Sequence, residues 1–291
     1  MCMKNAQPIV LLLAILLFLP MAPGALTTAE AQGVEHRPSA ELFVYVGCMY
    51  CPYAEDALPG LISSTNAVVL VYHVWSDQAG WDTSEGEALA ASYGVSGAPA
   101  MMVDGVDLIQ GADPMGYGQG NFDQSCEDAY VDSVDGRQDS SSIQILPSIQ
   151  KSGDKLSLSA DIYLDILSSQ DMAARFVVYE KTASFQGINY LNVVRDVKSH
   201  GAIVQSGKTT FSEEIFIPRD TQNSDNLGLA VMVYSQGTGE VLQSNTADVV
   251  QAPTTSGGEV EDEGGISTTN LLLLGVVGVL VVAVVVRWRK V

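Results

Sequence analysis

The stretch Leu42-Phe43-Val44-Tyr45-Val46-Gly47-Cys48-Met49-Tyr50-Cys51-Pro52 runs from a short apolar segment straight into two cysteines three positions apart. Residues 42–46 read as a buried strand. Pro52 marks the first turn of a following helix, where its missing N–H is best tolerated. A cysteine at a helix start faces unpaired backbone N–H groups and the positive end of the helix dipole, which favour its thiolate. A second cysteine one turn further on can close a disulfide that forms and breaks by exchange. The spacing therefore points to Cys48 as nucleophile and Cys51 as resolving thiol.

Outward from this stretch, strand and helix signals alternate. Ala54 to Ser63 reads as a helix interrupted near Pro59-Gly60, and Ala67 to Trp75 (AVVLVYHVW) as a β-branched strand. Ser84 with Glu87 forms a capping box that opens a helix through Tyr93, ended by Gly94. Ala100 to Val103 and Val106 to Ile109 flank Asp104-Gly105, a hairpin signal. A glycine-rich stretch, Gly111 to Gly120, precedes a last helix over Phe122 to Val134.

From Glu41 to Asp107 this order, with Cys-x-x-Cys-Pro and Tyr93-Gly94-Val95-Ser96-Gly97-Ala98-Pro99, resembles the thioredoxin superfamily. The resemblance implies a thioredoxin-like α/β domain, and a cis-proline at Pro99 that sits against the dithiol, offers backbone to substrate and keeps metal from the thiols. Within the superfamily the chain is similar to the outer-membrane-protein-related subgroup, which joins such a domain to a C-terminal β-sandwich. Tyr72-His73 and Asn192-Val193-Val194-Arg195-Asp196 add to that likeness. The outer-membrane address is not carried over, because an apolar helical anchor belongs to another type of membrane. Met49-Tyr50 is neither Gly-Pro nor Pro-His, and Gly47 stands where the superfamily has tryptophan. Glu55 and Asp56 would oppose a nearby thiolate. The direction of exchange, as oxidase, reductase or isomerase, stays open.

After Ser140 the texture changes. Leu156 to Ile166 alternates apolar and polar residues in strict two-residue period, the mark of a half-buried strand. Similar runs occur at Ile143 to Ile149, Arg175 to Glu180, Leu191 to Val197, Ala202 to Ile217 and Leu229 to Ser235. They predict an immunoglobulin-like β-sandwich. The acidic, Gly/Ser/Thr-rich stretch 251–269 reads as a linker.

The ends suggest export and anchoring. Lys4, the apolar run Ile9 to Leu19 and Ala29-Glu30-Ala31 read as a signal peptide over 1–31. Leu271 to Val286, followed by Arg287-Trp288-Arg289-Lys290, reads as one transmembrane helix over 270–286 with a basic cytoplasmic tail at 287–291, or as a processed sorting signal. Without these ends the ectodomain holds ten basic and 33 acidic residues, about −23. Such a charge argues against nucleic acid or anionic lipid as partners. The expected fold class is an α/β thioredoxin-like domain at 32–139, an all-β immunoglobulin-like sandwich at 140–250, and one C-terminal transmembrane helix.

The function expected is that of a membrane-anchored extracytoplasmic thiol–disulfide oxidoreductase, with no cofactor and no metal. Its partners are exported proteins with cysteines, a membrane redox protein as a further partner, and the membrane itself through the C-terminal helix. The competing expectation is a non-enzymatic surface binding protein in which Cys48–Cys51 is a structural staple. A weaker one is copper capture by Cys48, Cys51, His73 and nearby methionines. Zinc finds too few ligands in Cys126, His36, His73 and His200. Cys126, flanked by Phe122 and Tyr130 one turn away on each side, is expected to be a buried inert thiol, the alternative being a third redox thiol. Glu213-Glu214 and Glu259 to Glu263 read as solvated charge.

Overall fold

The structure is a computed structural model and describes residues 33–75, 77–111, 122–164, 171–203 and 206–252. The signal peptide, all of the glycine-rich stretch after Gly111, nearly all of the acidic linker, the apolar segment Leu271 to Val286 and the basic tail lie outside the described residues.

Among the described residues fourteen strands occur, in chain order β1 (Val34–Glu35), β2 (Ser39–Val44), β3 (Val68–His73), β4 (Ala100–Val103), β5 (Asp107–Gln110), β6 (Ser140–Ser141), β7 (Ile143–Ser152), β8 (Lys155–Leu164), β9 (Met172–Phe185), β10 (Ile188–Ala202), β11 (Gly207–Phe216), β12 (Leu227–Ser235), β13 (Val241–Asp248) and β14 (Val250–Gln251). Helices cover Cys51–Asp56, Leu58–Ser64, Ser84–Ser92 and Phe122–Asp135.

The expectation of a thioredoxin-like α/β domain followed by a separate sandwich is overturned; the expected transmembrane helix lies outside the described residues. The protein is mostly β, and one eight-stranded sheet, ordered β13-β12-β9-β10-β3-β2-β4-β5, takes strands from both halves of the chain. The junction is the parallel pair β10–β3, with Val193 opposite Val71. Pairing here satisfies backbone groups on β3 that an independent first domain would leave bare at a sheet edge. A second sheet, ordered β11-β8-β7-β14, packs against it. Among the described residues no helix is long and apolar enough to cross a membrane.

Strand burial explains the layers. β9 and β12 are apolar over long runs because both their faces are covered. Phe176, Val178, Leu229 and Val231 point into the core shared with β7 and β8. Val177, Tyr179, Ala230 and Met232 point the other way, joining Phe43, Tyr72 and Ala90. β8, covered on one face, keeps strict alternation. Helices Cys51–Asp56, Leu58–Ser64 and Phe122–Asp135 close the first half through Ala54, Leu58, Leu61 and Tyr130 against Leu42, Val71 and Met101.

Polar contacts seal the junction. Glu41, fully buried, accepts from Tyr72 Oη at 2.8 Å, Tyr93 Oη at 2.7 Å and Arg175 Nη1 at 3.1 Å. Asp104, also fully buried, accepts from the Ser39 amide at 2.8 Å and pairs with His36 at 2.8 Å and Arg137 at 3.2 Å. Its carbonyl receives the Val241 N–H at 2.8 Å, which joins the β4–β5 turn to β13. Gly105, at φ +70°, leaves room for that approach: a Cβ there would lie 2.4 Å from the Gly239 carbonyl oxygen. The helix expected to begin with a Ser84/Glu87 capping box is capped instead by Thr83, whose Oγ1 accepts the Gly86 N–H at 3.0 Å.

Candidate functional site

Strand β2 ends at Val44, and the loop that follows carries Cys48 to the start of helix Cys51–Asp56. Gly47 takes φ +96°, a conformation that disfavours side-chain-bearing residues, and this lets the chain turn sharply ahead of the cysteine. The Cys48 N–H closes the turn on the Tyr45 carbonyl at 3.2 Å. Cys48 and Cys51 form a disulfide. Both cysteines are buried, Cys48 with 7% exposure and Cys51 with 1%.

The Cys51 backbone N–H points at the Cys48 sulfur at 3.1 Å. No side chain caps this helix, so the sulfur itself accepts one of the helix's unpaired donors. The helix has only six residues before the break at Ala57, so this local amide, more than a long dipole, favours a thiolate on Cys48. On the other side of the sulfur, the Ala98 carbonyl oxygen lies 3.7 Å away, and the Ala98–Pro99 peptide bond is cis. The structure thus brings Pro99 to the dithiol across some fifty residues of sequence, through the β2–β4 pairing.

Sequence reasoning missed the support under this loop. Asp77 Oδ1 accepts the Val46 N–H at 2.5 Å and meets His73 Nδ1 at 3.0 Å, while Oδ2 accepts the Ala79 N–H at 2.9 Å. Burial works against the Asp77 anion, but the hydrogen bonds from His73, Val46 and Ala79 outweigh it, and the carboxyl sits below its usual range. No local pattern marks Asp77; only the approach of two loops does. His73 is packed edge-on against Trp81 and Tyr190, with ring centroids 4.9 and 5.6 Å away, and its Nδ1 is committed to Asp77. Among the described residues no group of three or more His, Cys, Asp or Glu is placed to hold a metal.

Glu55 lies one turn beyond Cys51 and is half-buried. Burial, followed by the nearby carboxylates of Asp56 and Asp77, pushes its carboxyl up to about 8. At neutral pH it is largely uncharged, which removes much of the repulsion that its sequence position suggests. Cys126 is buried in the same core as Cys51, Leu58 and Tyr130. His36 pairs with Asp104, and His200 stands 3.6 Å from Glu213. Met49 at 77% and Tyr50 at 42% exposure project beside the disulfide, and Trp75 stacks edge-on with Tyr45 at 6.4 Å.

Fold and site together define a mostly-β protein with a Cys-x-x-Cys disulfide at a helix start, faced by a cis-proline loop. No family model matches the chain, and no curated protein matches it. Among solved structures it is similar to HBP35 of Porphyromonas gingivalis, at 13% identity and TM-score 0.61, with 81% of each chain covered. That likeness concerns the fold alone. A protein from Agrobacterium tumefaciens matches at 20% identity and TM-score 0.46, covering 78% of this chain and 97% of its own. A domain of the outer membrane lipoprotein Omp28 from P. gingivalis matches at 10% identity and TM-score 0.30, over 38% of this chain and 90% of its own. The last two likenesses carry no argument.

Proposed function

We propose that the protein is an extracytoplasmic thiol–disulfide oxidoreductase acting on cysteines of exported proteins. One observation carries the reading: the Cys48 sulfur, the less deeply buried of the pair, accepts the Cys51 N–H and lies against the Ala98 carbonyl. In the oxidising direction a client thiolate attacks Cys48, a client–Cys48 disulfide forms, and Cys51 leaves as a thiolate. A second client thiolate then attacks the client sulfur of that bond and releases Cys48, whose negative charge the Cys51 amide supports. Client dithiol and protein disulfide become client disulfide and protein dithiol, and the reverse sequence reduces a client. Likeness to the thioredoxin superfamily supports this reading at the dithiol and Pro99 alone. The exported address is supported by the signal-peptide pattern and by a disulfide that persists outside the cytosol.

The test is a trap. Cys51→Ser should accumulate mixed disulfides between Cys48 and client proteins, and the Cys48→Ser variant should not. Absence of any trapped species, together with no turnover of dithiol substrates by the wild type, would sink the proposal in favour of a structural staple.

A further inference from the structure

Between helices Cys51–Asp56 and Leu58–Ser64 and the start of β10, reaching Pro52 next to the dithiol, lies a cavity of about 220 Å³. Its apolar lining includes Pro52, Leu58, Pro59 and Ile188, the last 58% exposed. Glu55, Asp56 and Tyr190 also line it, and among the described residues no lysine, arginine or histidine does. We propose that this cavity receives a lysine or arginine side chain of the client polypeptide, so that the favoured substrates are cysteine-containing segments with a basic residue two or three positions from the cysteine. This rests on the oxidoreductase reading and names its substrate class.

The cavity matches such a side chain part by part. An aliphatic stem of several methylenes fits the proline and isoleucine walls, since long basic side chains bury their stems and keep their heads beside polar groups. A cationic head meets the carboxyls of Glu55 and Asp56. A neutral apolar side chain would leave Glu55 crowded by Asp56 and Asp77 as before. A cation relieves that crowding and lets Glu55 ionise, and burial and the same negative field also push the Tyr190 phenol up. Reach is adequate. The client is held on Cys48, whose Cα lies 5.4 Å from that of Cys51; Glu55 sits about 6 Å further along the helix axis, and two or three extended client residues span about 7–10 Å, to which the long basic side chain adds its own length.

The experiment uses the full chain and a set of synthetic peptides of the pattern Cys-x-x-Lys, Cys-x-x-norleucine and Cys-x-x-Glu. The rate of mixed-disulfide formation at Cys48 is read by mass spectrometry at low and high salt. The lysine peptide should react about three- to tenfold faster than the norleucine peptide at low salt, as expected for one partly buried charged contact. Glu55→Gln and, independently, the cavity-filling Ile188→Trp should bring the two peptides together. The double change Glu213→Gln with Glu214→Gln, which removes more charge far along the sequence on β11, should leave the preference intact. Equal rates for lysine and norleucine peptides in the wild type would overturn the inference, as would loss of the preference in the Glu213/Glu214 variant, which would assign it to net charge. Failure of every peptide to exchange removes the oxidoreductase reading itself, and this inference with it.

Discussion

The carboxylate of Asp77 accepts the backbone N–H of Val46, two residues ahead of Cys48, and holds His73 with the same oxygen. The loop that carries Cys48 is thereby tied to the segment after β3.

Asp77→Ala leaves the Val46 and Ala79 amides without their acceptor. The expected loss is about 1–3 kcal/mol of stability by denaturant unfolding, with slower alkylation of Cys48 in the reduced protein. Asp77→Asn keeps an acceptor oxygen and should restore part of both. Because the folded-state acidity of Asp77 lies below its usual range, its contribution is present above about pH 4 and fades as pH falls further. A stability profile of Asp77→Asn without that acid-side decline relative to wild type is the expected signature.

Glu55 carries the opposite sign. Its carboxyl is ordinary in the unfolded chain, at 4.5, and raised to about 8 in the folded one. Folding therefore loses stability as pH rises from about 4.5 to 8, where the unfolded chain gives up its proton and the folded one holds it. Glu55→Gln should flatten this decline and be more stable than wild type at pH 8. Thermal melts across that range check it, and parallel curves for the two proteins would count against the assignment.

Burial of Glu41 against Arg175 across the junction makes a third prediction. Arg175→Met strands a buried carboxylate and should cost about 3–5 kcal/mol. Adding Glu41→Gln should recover part of the loss, since the second change removes the stranded charge. Chemical denaturation of both variants measures this, and full additivity would show that the two side chains do not act together.

At Gly105 a methyl group has nowhere to go. Gly105→Ala meets the Gly239 carbonyl and must also adopt φ +70°. A loss of roughly 1–3 kcal/mol is expected, seen as a lower melting temperature with the Cys48–Cys51 disulfide still formed.

Much of the fold was legible locally. The continuous apolar run of β3 and the two-residue alternation of β8 each follow from how many faces are covered, which side-chain pattern records directly. The separation into two independent modules was not legible as wrong, because nothing in Val193 or Val71 announces that they will pair. A parallel contact over more than a hundred residues leaves no short-range trace. The same holds at the site. Cys48, Cys51 and Pro52 declare themselves by spacing, whereas Asp77 and Tyr190 enter only because loops and strands converge.

By itself the sequence determined which stretches form strands and helices and which sulfurs lie one turn apart, since dihedral preference and side-chain period act over a few residues. Only the tertiary structure decided that two apparent modules share one sheet, that the Ala98 carbonyl faces Cys48, and that Glu55 is largely neutral beside a cavity. Those outcomes depend on burial and on charges brought together from distant positions, quantities that exist only once the chain has closed on itself.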